Sequence, residues 1–355
     1  MMAADFEKYA VLVPAYKPVY DQMVPFVKEL LGIYKHVVAV DDGGGEAFAD
    51  VFAECKRLGC TVLTHGVNRG KGAALRTGVT YIMKELPDIL GVITADCDGQ
   101  HTVPDIVRVT EAQSEHPECM IIGGRRFTGD VPKRSMVGNT VTRHIYKLAT
   151  GISIYDTQTG LRGFPSFLLD ELAELKGDRY EYEMNMLLKL REWGVQPYEI
   201  EIKTIYINDN KGSHYNGFRD TVRIGARILL YALGSGISFI VDQALFLLFS
   251  FLGMPYWFAF FIARVLSSVV NYLINRKVVF GGKNYKKGTT LKYFSLAAGV
   301  MLLGMGVQWL VGNVGGGLGV GIAWIIKLVY DCVMFFVNYI IQRDFVFKVK
   351  DRKNR

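Results

Sequence analysis

The sequence has few of the features that would mark a secreted or disulfide-framed protein. Its 355 residues hold five cysteines, Cys55, Cys60, Cys97, Cys119 and Cys332, and no Cys-x-x-Cys pair. That usage fits reduced thiols on a cytoplasmic face, with a redox pair at Cys55 and Cys60 as the alternative. The opening stretch MMAADFEKYA lacks the apolar region of a signal peptide. The net charge of +7 comes without any RNA- or DNA-binding motif, so no nucleic acid partner is expected. A P-loop is missing too. Between Gly66 and Gly70 there is one residue too few, and Lys71 is followed by Gly72 instead of Ser or Thr. No G-x-G-x-x-G follows the first apolar run, which leaves a dinucleotide site unsupported. A glycine-rich turn entering a helix can still cradle an anion.

Charge is scarce in one half only. Up to about Asn216 charged and apolar stretches alternate as in a globular α/β domain. From Ile228 onward four apolar segments dominate, at about 228–252, 256–275, 291–312 and 318–341. Each approaches the ~20 residues that span a bilayer as a helix. The connections GMPY and GNVGGGLGVG hold no Lys or Arg. The basic residues fall on the other side, at Arg219, Arg223 and Arg227, at Arg276 and Lys277, at Lys283, Lys286 and Lys287, and through the tail from Lys348 to Arg355. This asymmetry predicts two outward hairpins, both termini in the cytoplasm and contact with membrane lipid. The expected division is 1–216 as a cytoplasmic domain, 217–227 as a basic interfacial segment, 228–347 as an all-α four-helix transmembrane domain and 348–355 as a basic tail. Glycine-rich faces on short spans also allow a homo-oligomer.

The apolar half repeats itself. NYLINRKVVF, Asn271–Phe280, closes the second segment, and NYIIQRDFVF, Asn338–Phe347, closes the fourth. Each has Asn-Tyr, then Arg276 or Arg343, then an aromatic end, so a duplicated two-helix unit is the simplest origin. The same offset maps Arg264 onto Asp331. Charges inside spans are costly and usually paired, and Arg264 is expected to face Asp331 or Asp242, with Lys327 competing for Asp331.

In the first half, YAVLVPAY, HVVAVDDGGG, CTVLTHG, GVITADCDG and CMIIGGRRF read as strands. Helical stretches at GAALRTGVTYIMKEL and from Pro104 to about His116 lie among them, which predicts a mostly parallel sheet covered on both faces. Ligands bind such sheets outside the carboxyl ends of the strands. Asp41, Asp42, Asp96 and Asp98 all sit at those ends. Asp96 and Asp98, one residue apart, point the same way if the strand continues through them. Two such carboxylates repel unless a cation lies between them, and hard oxygen ligands select Mg²⁺ or Mn²⁺. Gln100 can add a carbonyl oxygen. Other readings stand beside these: helix capping for Asp41 and Asp42, a turn for His101, a solvated strand end for Arg125 and Arg126, and plain surface acids for Glu181 and Glu183.

The ordered motifs VLVPAY, VDDGG, VNRGKGAALRTG, ADCDGQH, GGRRF, DTQTGLRGF and YEYEMNMLL resemble family 2 glycosyltransferases of the polyprenyl-phosphate type, similar to dolichyl-phosphate mannose synthase. The tail with its two Asn-Tyr…Arg signatures resembles the GtrA-like membrane family. The resemblance implies a Rossmann-like GT-A fold and a nucleotide-sugar donor, UDP- or GDP-linked. It assigns Pro14, Ala15, Tyr16, Asp41 or Asp42, Asn68, Gly70 and Lys71 to the base and ribose, and Asp96, Asp98 and Gln100 to the metal and diphosphate. It offers Arg125, Arg126 and Arg134 to phosphates, and sets Asp156 and Gln158 beside the transferred sugar. Asp98, Asp156, Gln158 and Arg134 are thereby the candidate catalytic residues. Gly44 stands where the family commonly has Ser, and Ser213–His214 lacks the frequent proline after it.

The implied acceptor is polyprenyl phosphate, undecaprenyl or dolichyl, already anionic and able to attack the sugar carbon itself. In-line attack predicts inversion, with glucose or mannose moved. The rival reading is a flippase in which Arg264, Lys327 and Asp331 guide the phosphate of a lipid-linked sugar; Asn271, Arg276, Asn338 and Arg343 are the further candidates of the membrane domain. A processive polysaccharide synthase is disfavoured, since its Gln-x-x-Arg-Trp signature is absent.

Overall fold

The computed structural model describes residues 4–125, 133–203, 230–242, 256–280, 288–314 and 333–347, and isolated positions between 244 and 252 and at 329. The chain divides into two compact units, one of Met1–Lys147 with Ile152–Val222 and the other mainly Arg223–Lys350.

The first unit is built on seven strands: β1 Tyr9–Ala15, β2 His36–Asp41, β3 Thr61–Thr64, β4 Gly91–Thr94, β5 Met120–Arg125, β6 Arg162–Pro165 and β7 Pro197–Ile202. Their order is β3-β2-β1-β4-β6-β5-β7. All pairs are parallel except those made by β6, which runs antiparallel to β4 and β5. The helices are α1 Tyr20–Leu31, α2 Ala49–Arg57, α3 Lys71–Glu85, α4 Val103–Glu115, α5 Lys133–Thr150, α6 Leu169–Ala173 and α7 Glu181–Trp193. Strands β1, β2 and β4 are apolar along their length because both faces of the sheet are covered; Val11, Leu12, Val13, Ala39, Val92 and Ile93 are all fully buried. The sequence reading missed β6 and β7. The first is four residues that open on an Arg, and the second, PYEIEI, alternates at an edge.

Chain order reverses at β1. The chain steps outward from β1 to β2 and β3, then returns to place β4 on the other side. Such a switch leaves a crevice beyond the carboxyl ends of the two central strands. Ala15 ends β1, Asp41 pairs with it at the end of β2, and Ala95 N bonds Leu12 O just past β4.

In the second unit helix is described at 230–242, at Tyr256–Ile274, at Thr289–Val314 and at 333–341. Among the described residues no helix is long and apolar enough to cross a membrane. The duplication is visible in three dimensions. Asn275–Val279 and Gln342–Val346 are matching π-helical turns. Asn275 and Gln342, 67 residues apart and equivalent in the two copies, meet through an Nδ2–H to Oε1 bond of 3.0 Å. Tyr272 stacks on Phe347 at 5.9 Å and Tyr339 on Phe280 at 5.8 Å. Arg276 lies over Tyr272 and Arg343 over Tyr339, at 5.8 and 5.9 Å. Reciprocal contacts between equivalent residues are the mark of a local twofold axis. Asn271 accepts from Tyr293 Oη at 2.9 Å, while Asn338, its counterpart, is half-buried. Asp242 is buried and accepts Ser267 Oγ at 2.8 Å. Arg264 falls on the Tyr256–Ile274 helix; its side chain, and Lys327 and Asp331 entirely, lie outside the described residues.

Candidate active site

The acidic turn begins where β4 stops. The strand ends at Thr94, so Asp96 and Asp98 belong to the turn beyond it, and the same-face argument for a continuing strand does not apply. Gly99, at φ 82°, bends the chain there. Asp96 is drawn inward and Asp98 is exposed, with its Oδ1 accepting Gln100 N at 3.0 Å. Asp96 meets Lys71 Nζ through Oδ1 at 2.7 Å. On its far side a methyl group added at Gly160 would lie 2.4 Å from Oδ2, so only glycine lets that backbone pack against the carboxylate. Burial pushes the Asp96 carboxyl up, but Lys71, His101 and Arg125 together hold the group below the usual range. Cys97, between the two acids, has its thiol pushed up to about 12 by burial and then by Asp96 and Asp98.

His101 is buried, and its Nδ1 accepts Asp96 N at 3.0 Å. It therefore braces the acidic turn as well as lying within it. Lys71 also reaches Glu183 Oε1 at 3.1 Å, and the Glu183 side chain is only 12% exposed. Glu183 is thus a member of the site, not the surface acid expected from α7's pattern. Burial alone pulls the Lys71 amine down, yet Asp96 and Glu183 together hold it above its ordinary range.

Asp41 and Asp42 face different tasks. Asp41 Oδ1 accepts Gly44 N at 2.8 Å. Asp42 accepts Arg69 N at 2.9 Å and Gly70 N at 2.8 Å, and pairs with His65 Nδ1 at 2.7 Å. His65 Nε2 in turn meets Thr77 Oγ1 on α3 at 2.9 Å. This buried set pins the 66–70 turn against α3. At that helix start Ala73 N donates to Asp178 O at 2.9 Å. Arg69 N, Gly70 N and Ala73 N are thereby taken by the chain's own oxygens. Gly70, at φ 100°, approaches Asp178 O so closely that a methyl would sit 2.3 Å away. Pro14 and Ala15 are buried, whereas Tyr16 and Asn68 are exposed at the rim.

Asp156 is wholly buried. Its Oδ2 accepts Arg125 Nε at 2.7 Å and Arg125 N at 3.2 Å, and its Oδ1 accepts Gln158 N at 3.0 Å. Glu199 Oε1 receives Tyr155 N at 2.8 Å and Asp156 N at 3.1 Å. A carboxylate so engaged orients the Arg125 guanidinium. Gln158 Nε2 is buried and has no hydrogen-bond partner among the described residues. An orphaned donor is costly unless a ligand oxygen meets it. Arg134 lies on α5 with its side chain outside the described residues, as are Arg126, Ser213 and His214.

Among the described residues no three of His, Cys, Asp or Glu cluster into a metal cage. Two carboxylates, one open to solvent, suit instead a hard divalent cation that keeps most of its shell as water and phosphate.

A family model described as glycosyl transferase family 2 matches residues 10–172, and one described as GtrA/DPMS, transmembrane domain, matches 230–347. An uncharacterised protein of Methanocaldococcus jannaschii is 33% identical over 178 residues, 49% of this chain and 71% of that one. The chain belongs to glycosyl transferase family 2. It is a glycosyltransferase carrying a GtrA/DPMS transmembrane domain. A UDP-N-acetylglucosamine–dolichyl-phosphate N-acetylglucosaminyltransferase of Methanococcus voltae is 27% identical to this family 2 enzyme over 229 residues, 59% of this chain and 88% of that one. Among solved structures, mannosyl-3-phosphoglycerate synthase from Rubrobacter xylanophilus has a TM-score of 0.45 at 16% identity, over 62% of this chain and 73% of that one. The mannosyltransferase PcManGT from Pyrobaculum calidifontis, in complex with GDP-Man and Mn²⁺, has a TM-score of 0.40 at 12% identity, over 95% and 87%.

Proposed function

We propose that this glycosyltransferase uses a GT-A site to move one hexose from a nucleotide sugar to a polyprenyl phosphate at the cytoplasmic face of the membrane, with inversion. The observation that carries this reading is the acidic turn Asp96–Asp98 at the switch point, in a chain that also carries a GtrA/DPMS domain. Asp96 and Asp98, with the Gln100 carbonyl, are the residues that would hold Mg²⁺ or Mn²⁺, an ion that when bound neutralises the departing diphosphate. Tyr16, Asp41 and Asn68 line the rim proposed for base and ribose. Arg125, aimed by Asp156, brings its positive charge to the phosphate oxygens. Gln158 Nε2 supplies a donor for a hydroxyl or phosphate oxygen of the substrate.

The acceptor phosphate needs no strong base, because it is its own nucleophile. What the protein supplies is alignment behind the sugar carbon and positive charge near the leaving group. The relative from Methanococcus voltae is named for UDP-N-acetylglucosamine and dolichyl phosphate, so N-acetylglucosamine joins glucose and mannose as a donor sugar to test. The experiment is the purified protein in detergent with UDP- and GDP-sugars, Mg²⁺ or Mn²⁺, and undecaprenyl or dolichyl phosphate. A β-linked lipid product from an α-linked donor is the expected result; hydrolysis without lipid product would overturn the reading.

The twofold-related repeat of the second unit favours a second activity, passage of the lipid-linked product across the bilayer. Product confined to the leaflet of synthesis in proteoliposomes would exclude it.

A further inference from the structure

Lys71 lies between two carboxylates with different duties. Its Nζ is 2.7 Å from Asp96 Oδ1 and 3.1 Å from Glu183 Oε1. Asp96 belongs to the acidic turn read above as a cation site. Glu183 comes from α7 and has no place in that turn. An ammonium on Asp96 is a direct competitor of a divalent ion, since both are positive and both need the same oxygen. The pair has little room to separate on its far side, where the Gly160 backbone packs so closely that a methyl would lie 3.0 Å from Lys71 Nζ and 2.4 Å from Asp96 Oδ2. The open direction for the ammonium is toward Glu183.

Glu183 is held firmly enough to receive it. Its backbone carbonyl accepts Arg162 Nη1 at 2.7 Å, and that buried guanidinium also donates to Thr159 O at 2.9 Å. Arg162 thereby ties α7 to the segment that carries Gly160.

We propose that Glu183 is a positioning residue that draws the Lys71 ammonium off Asp96 when a divalent cation arrives, so that Lys71 changes partner and does not block the ion. The proposal rests on the reading of Asp96 and Asp98 as a cation site. In the cation-free protein Lys71 neutralises Asp96. With the cation present Glu183 keeps Lys71 beside the site, and its remaining N–H groups are free to meet a phosphate oxygen.

The test is Mn²⁺ binding to the full-length protein without nucleotide, followed by the paramagnetic resonance signal of free Mn²⁺. Lys71→Met should tighten binding about fivefold or more, by removing the competitor. Glu183→Gln should weaken it about fivefold, because Lys71 then has only Asp96. In the Lys71→Met background Glu183→Gln should change it less than about twofold. Glu183→Asp, which keeps the charge but shortens the reach, should weaken Mn²⁺ binding as Gln does, and it serves if the Gln variant does not fold. Equal weakening by Glu183→Gln in both backgrounds would make Glu183 a general negative charge and overturn the positioning role, as would unchanged binding in Lys71→Met. If the wild type binds no Mn²⁺, or binds it undiminished in Asp98→Asn, the cation reading itself fails, and the role of Glu183 falls with it.

Discussion

At the scale of single residues, the carboxylates divide into those left open to solvent and those spent on the backbone. Asp98 is exposed and makes one local bond to Gln100 N. Asp98→Asn should leave the unfolding transition where it is and lower transfer by about 10²-fold or more, the scale seen when one group that stabilises transition-state charge is removed; a steady-state assay beside a thermal melt checks both halves. Asp42 is the opposite case. Three donors converge on it, from Arg69, Gly70 and His65. Asp42→Ala strands them, and each buried unsatisfied donor costs about 1–3 kcal/mol. The expected outcome is a loss of about 2–3 kcal/mol in denaturant unfolding and a raised KM for the nucleotide sugar with a smaller change in kcat. The acids of the turn were legible from sequence because charge at the end of an apolar strand is conspicuous. Glu183 and His65 were not, because their partners are distant in sequence and meet them only once α7 and α3 are packed.

At the scale of elements, strand ends and helix starts were readable where composition changes sharply, as at β1, β2 and β4. The entry to α3 was harder. Its glycine-rich turn reads as an anion cradle, whereas the structure spends Gly70 N on Asp42 and Ala73 N on Asp178. Gly70→Ala forces a methyl into Asp178 O at a backbone angle unfavourable for L-residues. The strain is of the order of 1–3 kcal/mol before any clash, so the variant should be clearly less stable and bind donor nucleotide more weakly by calorimetric titration. The corner between α2 and β3 decides the fate of Cys55 and Cys60. Both are buried, and burial pushes their thiols up to about 11 and about 12. A raised folded pKa means the native state keeps its protons after the unfolded chain, with thiols near 8.5, has begun to lose them. Their stabilisation is therefore full below about pH 8.5 and declines as pH rises toward 11. Neither thiol should react with an aromatic disulfide reagent in the native protein at pH 8, which argues against a redox pair; prompt reaction of either would contradict the burial.

At the scale of the whole molecule, two kinds of pattern carried the reading. In the first unit it was the alternation of apolar strand and helix, which places four acids at one edge of a sheet. In the second it was a ten-residue repeat whose two copies close on each other through Asn275 and Gln342. Sequence showed that the copies exist, but not that they touch, because a repeat says nothing about the axis relating its members. The distribution of Lys and Arg adds an orientation that contacts do not give. Both hairpin connections lack basic residues, and the tail from Lys348 to Arg355 is rich in them. Moving several such charges through a bilayer is opposed during insertion, so the tail should stay in the cytoplasm. With the native cysteines replaced, a single cysteine at Gly316→Cys should react with a membrane-impermeant maleimide added to intact cells, and one at Arg355→Cys should react only after the membrane is opened. Protection of the first or prompt labelling of the second would reverse the topology. That would put the acidic turn on the wrong side for a cytoplasmic nucleotide sugar, leaving the chemistry at Asp96 and Asp98 without its donor.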